Sequence, residues 1–206
     1  MPGTQDLALF IVAGLLLNIT PGPDTLYIVG RSTTQGLRAG AAAALGIGAG
    51  TLIHVSAAAF GLSALFAASA AAFTVLKLVG AAYLVYIGIA LIRSRPGAPA
   101  AVTPARLRTV FVQGFWTNVL NPKVALFFLA FLPQFVAPDA PDKVMPLLFL
   151  GIVFNVNGTL WNLVVAWSTA RLGGLLMRST AAQAWFSRVV GGLFIVLAAR
   201  LALTRQ

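Results

Sequence analysis

Asp24, His54 and Lys123 stand inside strongly apolar runs of this sequence, and they are the residues with the most chemistry to offer. Asp24 ends the segment Thr20-Pro21-Gly22-Pro23-Asp24, Lys123 ends Asn118-Val-Leu-Asn121-Pro122-Lys123, and His54 is the sole histidine. A carboxylate in an apolar run must be paired or protonated. Asp24 is therefore expected to exchange a proton or hold an ammonium group, or else to serve as a capping acid in the first turn of a helix. A lysine beside a helix start has the wrong sign for the helix dipole, so Lys123 requires an anionic partner. Asp24 or an anionic substrate group fits that need. An α-amino acid carries both signs, so its carboxylate suits Lys123 and its ammonium suits Asp24, Asn18 or Asn118.

Both segments also break the helix that contains them. Proline removes a backbone donor and clashes with the preceding turn. Asn121 can cap a new half-helix that begins at Pro122, and Thr20 with Pro21 is expected to do likewise. Two readings follow: packing kinks, or half-helix ends that line a substrate site built from Asn18, Thr20, Pro21, Gly22, Pro23, Asp24, Asn118, Asn121, Pro122 and Lys123.

The elements that carry these residues are set by composition. With 59% apolar and 9% charged residues and a mean hydropathy of +0.93, the chain is far from the balance of a water-soluble domain. Its 206 residues allow roughly six or seven spans of about 20 residues. Six apolar runs cover about 6 to 30, 38 to 64, 70 to 92, 109 to 133, 144 to 169 and 185 to 203. Backbone groups in hydrocarbon must be satisfied within the segment, so all six are expected to be helices. Absence of cysteine excludes disulfides, thiol transfer and thiolate metal sites. No cofactor, metal site or nucleic-acid partner is expected. The bilayer, a small molecule and protons are the expected partners, and a homo-oligomer is left open.

The net charge of +10 falls mostly in gaps between runs. Arg31, Arg38, Arg93, Arg95, Arg106, Arg108, Arg171, Arg178 and Arg188 all lie on one side, which the positive-inside rule makes cytoplasmic. Both termini are then expected on the outer face of a plasma (inner) membrane. The Pro- and Arg-rich segment 93–108 divides a single transporter domain, 1–206, into halves of about 1–95 and 106–206. Gly14, Asn18 and Pro21 recur as Gly114, Asn118 and Pro122. A three-helix repeat inverts its second copy, as in many secondary transporters. The expected fold is an all-α integral membrane protein of about six transmembrane helices in two inverted three-helix repeats, with helices 1 and 4 broken.

Further candidates are secondary. His54 continues the small-residue stripe Ala42, Gly46, Gly50, which brings helices close; it is either a hydrogen-bonded packing residue or a proton carrier beside Asp24. Lys77 suits snorkelling, and Asn155, Thr159 and Asn162 are either interhelical glue or cavity lining. Gly46, Gly50, Lys77, Asn155 and Asn162 complete the cavity candidates. Trp116, Trp161, Trp167 and Trp185 fit interfacial anchoring. A channel or ion transporter and a membrane-embedded enzyme are the competing classes. Hydrolysis, however, asks for paired acids, a metal cluster or a nucleophile with a base.

Asn18-Ile-Thr-Pro-Gly-Pro-Asp24, Arg31-Ser, Gly36-Leu-Arg-Ala-Gly40, Gly46-Ile-Gly-Ala-Gly50 with His54, Lys77-Leu-Val-Gly-Ala-Ala-Tyr-Leu84, Asn118-Val-Leu-Asn-Pro-Lys123 and Phe131-Leu-Pro-Gln-Phe135 together resemble the LysE/RhtB family of amino-acid exporters. The likeness covers nearly the whole chain. It implies export from the cytoplasm driven by the proton motive force. These motifs do not distinguish lysine, arginine, homoserine, threonine, leucine or cysteine derivatives as cargo.

Overall fold

The computed structural model describes residues 3–64, 103–137 and 140–172 continuously, with scattered positions between 75 and 93 and between 185 and 199. The third and sixth apolar runs, and Lys77 with them, fall largely outside the described residues. Among the described residues the regular structure is helical, with one isolated antiparallel bridge, Thr4 to Val136.

Helix α1, Leu7–Ile19, is apolar nearly throughout and stops because Pro21 forces its predecessor out of the helical region: Thr20 has φ −64° and ψ 121°. Helix α2, Pro23–Gln35, restarts with Gly22 as its N-cap, Pro23 at its first position and Asp24 in its first turn. The expected cap at Thr20 and Pro21 is thereby corrected by two residues. Pro23's fixed φ suits the first helical position, whereas Pro21 sits in the extended joint. The two halves are bent by 52°. Gly36, at φ 78°, turns the chain directly from α2 into α3, Leu37–Ser56, and a left-handed residue there favours glycine. A π-helical stretch, Ala57–Leu62, extends α3.

Helix α4, Leu107–Val119, breaks at Leu120 and Asn121, and α5, Pro122–Ala130, follows. The bend is 49°. A 3-10 turn, Leu132–Phe135, then leads towards α6, Val144–Leu172. Two spans, Leu37–Leu62 and Val144–Leu172, are long and apolar enough to cross a bilayer, and each bent pair adds one more if it crosses as a unit. The described residues thus hold up to four candidate spans.

Small residues set the packing. A Cβ on Gly46 would strike the carbonyl of Phe111, and one on Gly114 would lie 2.7 Å from the carbonyl of Ala43. Helices α3 and α4 therefore touch backbone to backbone, as small residues permit inside membranes. Two apolar clusters flank the molecule's middle. One is aromatic, with Phe10, Phe127, Phe131 and Phe135 fully or nearly buried; the other, with Ile28, Val29, Ala43, Ile47 and Val110, is built of smaller side chains. Beside the aromatic cluster, the segment before α1 is tied to the 3-10 turn by Gln5 N–H to Phe135 O and Ala137 N–H to Gly3 O, each at 2.9 Å. Trp116, Trp167 and Trp185 are exposed on the helical surface. Trp161 is partly buried and packs against the small-side-chain cluster.

Candidate functional site

Where the clusters meet, both helix breaks open onto one polar cavity of about 30 Å³. That is room for at least a few water molecules. Residues from both sides of each break reach it: Asn18, Gly22, Asp24 and Thr25 from α1 and α2, and Asn118, Asn121 and Lys123 from α4 and α5. Gly48 and Thr51 of α3, and Asn155, Thr159 and Asn162 of α6, complete the polar wall. The three α6 residues are spaced four and three apart, which places them on one helical face.

Thr20, Pro21, Pro23 and Pro122 shape the breaks but do not line the cavity. The Thr20 hydroxyl donates 2.7 Å back to Leu16 O. Gly46 and Gly50 also stay out of the lining, because both press on the α4 backbone. The glycine that borders the cavity on α3 is Gly48, where a Cβ would lie 2.6 Å from Thr159 Oγ1. The sequence alone does not single out Thr25, Gly48 or Thr51 as lining residues; small and hydroxylic residues among the apolar ones of α2 and α3 are the only signal.

Asn118 is the hub. Its side-chain N–H donates 2.8 Å to Asp24 Oδ2, its side-chain oxygen accepts from Thr51 Oγ1 at 3.2 Å, and its main-chain carbonyl lies 3.0 Å from His54 Nε2. With that carbonyl as the acceptor, His54 Nε2 must carry the proton in this arrangement. The imidazole also stacks on Phe128, with ring centroids 6.0 Å apart.

Asn121 caps α5 as its sequence implies, its side-chain oxygen accepting the Lys123 N–H at 3.0 Å. Lys123 lies within electrostatic reach of Asp24, one of the partners expected for it, and finds two more that the sequence did not suggest. Its ammonium donates to the carbonyls of Leu17 at 2.9 Å and Thr20 at 2.8 Å, two acceptors freed where α1 ends. The negative end of the α1 dipole supplies the favourable field that a lysine near the start of α5 otherwise lacks. Asp24 Oδ1 and Asn18 Nδ2 remain enclosed without a hydrogen-bond partner among the described residues. One is an acceptor and the other a donor, so the cavity presents unmet demand of both kinds.

The chain matches the model of the LysE type translocator family over residues 15–205. A homoserine/homoserine lactone efflux protein of Salmonella typhi is 30% identical, covering 96% of each chain. A leucine efflux protein of Salmonella choleraesuis is 25% identical over 97% of this chain and 96% of its own. An uncharacterised membrane protein of Pseudomonas aeruginosa is 28% identical, over 97% of this chain and 96% of its own. No solved structure matches the chain.

Proposed function

The chain belongs to the LysE type translocator family of membrane proteins, whose named relatives are efflux transporters and not enzymes, and from that premise we propose that it exports an amino acid from the cytoplasm by proton antiport. One observation carries the reading: two helix breaks from distant parts of the sequence meet in one polar cavity that holds a carboxylate with an unpaired oxygen. Helix breaks around a central cavity suit alternating access. Asp24 Oδ1 is the acceptor we assign to the substrate's α-ammonium, and Asn18 Nδ2 is a donor for its carboxylate. Asp24 then alternates between the ammonium and a proton, which makes uptake of one depend on release of the other. His54, held against the Asn118 carbonyl, is read as the residue that fixes the end of α4.

In this reading Lys123 has two tasks. It closes the end of α1 through the Leu17 and Thr20 carbonyls, and its third N–H remains for the substrate carboxylate, since an ammonium has three donors. The break joints, where helical hydrogen bonding is already interrupted, are the natural hinges for opening and closing the cavity around a substrate.

The remaining elements follow from the same premise. The single domain 1–206 comprises two inverted three-helix halves, about 1–95 and 106–206, giving about six spans. The arginine-rich ends of α2, α4 and α6 face the cytoplasm of a plasma (inner) membrane, and both termini face outwards. The reading is tested with purified protein in proteoliposomes. Homoserine, leucine and other amino acids are loaded on the Arg31 side, with and without an imposed proton gradient of the opposite direction. Gradient-stimulated efflux of at least one amino acid is the expected result; efflux of every amino acid indifferent to the gradient would remove the antiport mechanism.

A further inference from the structure

Arg31 lies beyond the cavity, two turns along α2 from Asp24. It is only 4% exposed, yet its four hydrogen bonds all go to neutral acceptors: Tyr27 Oη at 3.3 Å, Gln35 Oε1 at 2.9 Å, Thr103 O at 2.9 Å and Gln113 Oε1 at 2.6 Å. Its guanidinium also sits over the Tyr27 ring, 5.4 Å from the centroid. A buried cation is expensive unless its charge is answered, and among the described residues only dipoles and a π-face answer it.

The same cluster straps down the linker. Gln35 donates to Ala105 O at 2.8 Å and accepts the Ala105 N–H at 3.1 Å, while Arg31 holds Thr103 O two residues earlier. Gln113 joins α4 to the cluster and also accepts from Tyr27 Oη at 3.2 Å. One guanidinium thus ties together α2, the linker end at Thr103 and the middle of α4.

We propose that Arg31, with Gln35 and Gln113, is an entry station for the substrate's carboxylate, and that a carboxylate arriving there releases the linker strap and opens this end of the path. Hydrogen bonds between guanidinium and carboxylate are charge-assisted, frequently paired, and roughly twice as strong as those to neutral oxygens. An anion therefore outcompetes Gln35 Oε1, Gln113 Oε1 and Thr103 O, and the freed amides become further donors to it. Asp24 and Arg31 share a face of α2, seven residues or about 10 Å apart. That distance is too long for one α-amino group and its own carboxylate to span, so the two are successive stations: carboxylate first at Arg31, ammonium later at Asp24. The inference rests on the amino-acid reading above.

Hydrogen–deuterium exchange of the full-length protein in lipid nanodiscs tests it, because the Ala105 amide is protected only while the strap is closed. The probe is a mixture of the protein amino acids with homoserine, compared with the same mixture as amides, and transport of both is followed in parallel. Amino acids should speed Ala105 exchange several-fold and the amides should not. Arg31→Lys, which keeps the charge but loses the fork, should abolish the response. Gln35→Leu should give fast exchange without any probe. The inference is overturned if amino acids are transported while Ala105 exchange stays constant, if the amides act equally, or if Arg31→Lys responds like the parent. If the mixture is neither transported nor felt at Ala105, the amino-acid reading fails and this inference falls with it.

Discussion

The two helix breaks face the same cavity, but they are stabilised in opposite ways. At the second, Asn121 supplies its own cap to α5 and the joint is only Leu120 and Asn121 long. At the first, Gly22 offers α2 no side-chain cap, and the loose end of α1 is held by Lys123, more than a hundred residues away in the chain. The second break is a local property of its sequence, whereas the first is completed only when the second half docks. Equivalent positions also carry opposite charges: Asp24 and Lys123 each follow the proline that starts a half-helix. Asp24 is favoured by the dipole of its own helix, while Lys123 is favoured by the end of another.

The sharpest way to break this contrast is Lys123→Met, which keeps the apolar stem and deletes the donor. Each carbonyl left unpaired should cost about 1–3 kcal/mol, and efflux should fall to background. A melting temperature unchanged from the parent would show that the first break does not depend on Lys123. Asn121→Ala should be milder, costing about 1 kcal/mol through loss of the cap. Asn121→Ser should restore much of that loss, because a serine oxygen can accept the same N–H, and thermal melting of the pair in detergent checks both. Gly48→Ala puts a methyl group 2.6 Å from Thr159 Oγ1, which must shift to make room. It should slow efflux of the bulkiest accepted amino acid more than that of the smallest, read as a ratio of initial rates. The smallest effect is expected from His54→Gln, since a glutamine amide can still donate to the Asn118 carbonyl. Gradient-driven efflux should stay within a few-fold of the parent; complete loss would return His54 to candidacy as the proton carrier.

Local rules made much of the machinery legible. Proline and asparagine reveal both breaks and the Asn121 cap because those effects act over one helical turn. The glycines of α3 announced close helix packing, but not which of them would face the cavity. Gly46 and Gly50 went to the α4 backbone and left Gly48 to the lumen, a choice of helix rotation that depends on the partner. The carbonyl partners of Lys123, the three-way role of Asn118 and the Arg31 strap were illegible for one reason. Each joins residues separated by 64 or more positions, and no periodicity encodes such a pairing.

The central claim is that Asp24 exchanges the substrate's ammonium for a proton, and Asp24→Asn tests it most directly. The variant keeps the size and an acceptor oxygen of the side chain while removing the titrating group. In proteoliposomes containing equal amounts of folded parent and variant, an imposed proton gradient should drive amino-acid efflux by the parent. In the variant, the gradient should give no stimulation. Gradient-driven efflux by Asp24→Asn at the parent's rate would contradict that role for Asp24.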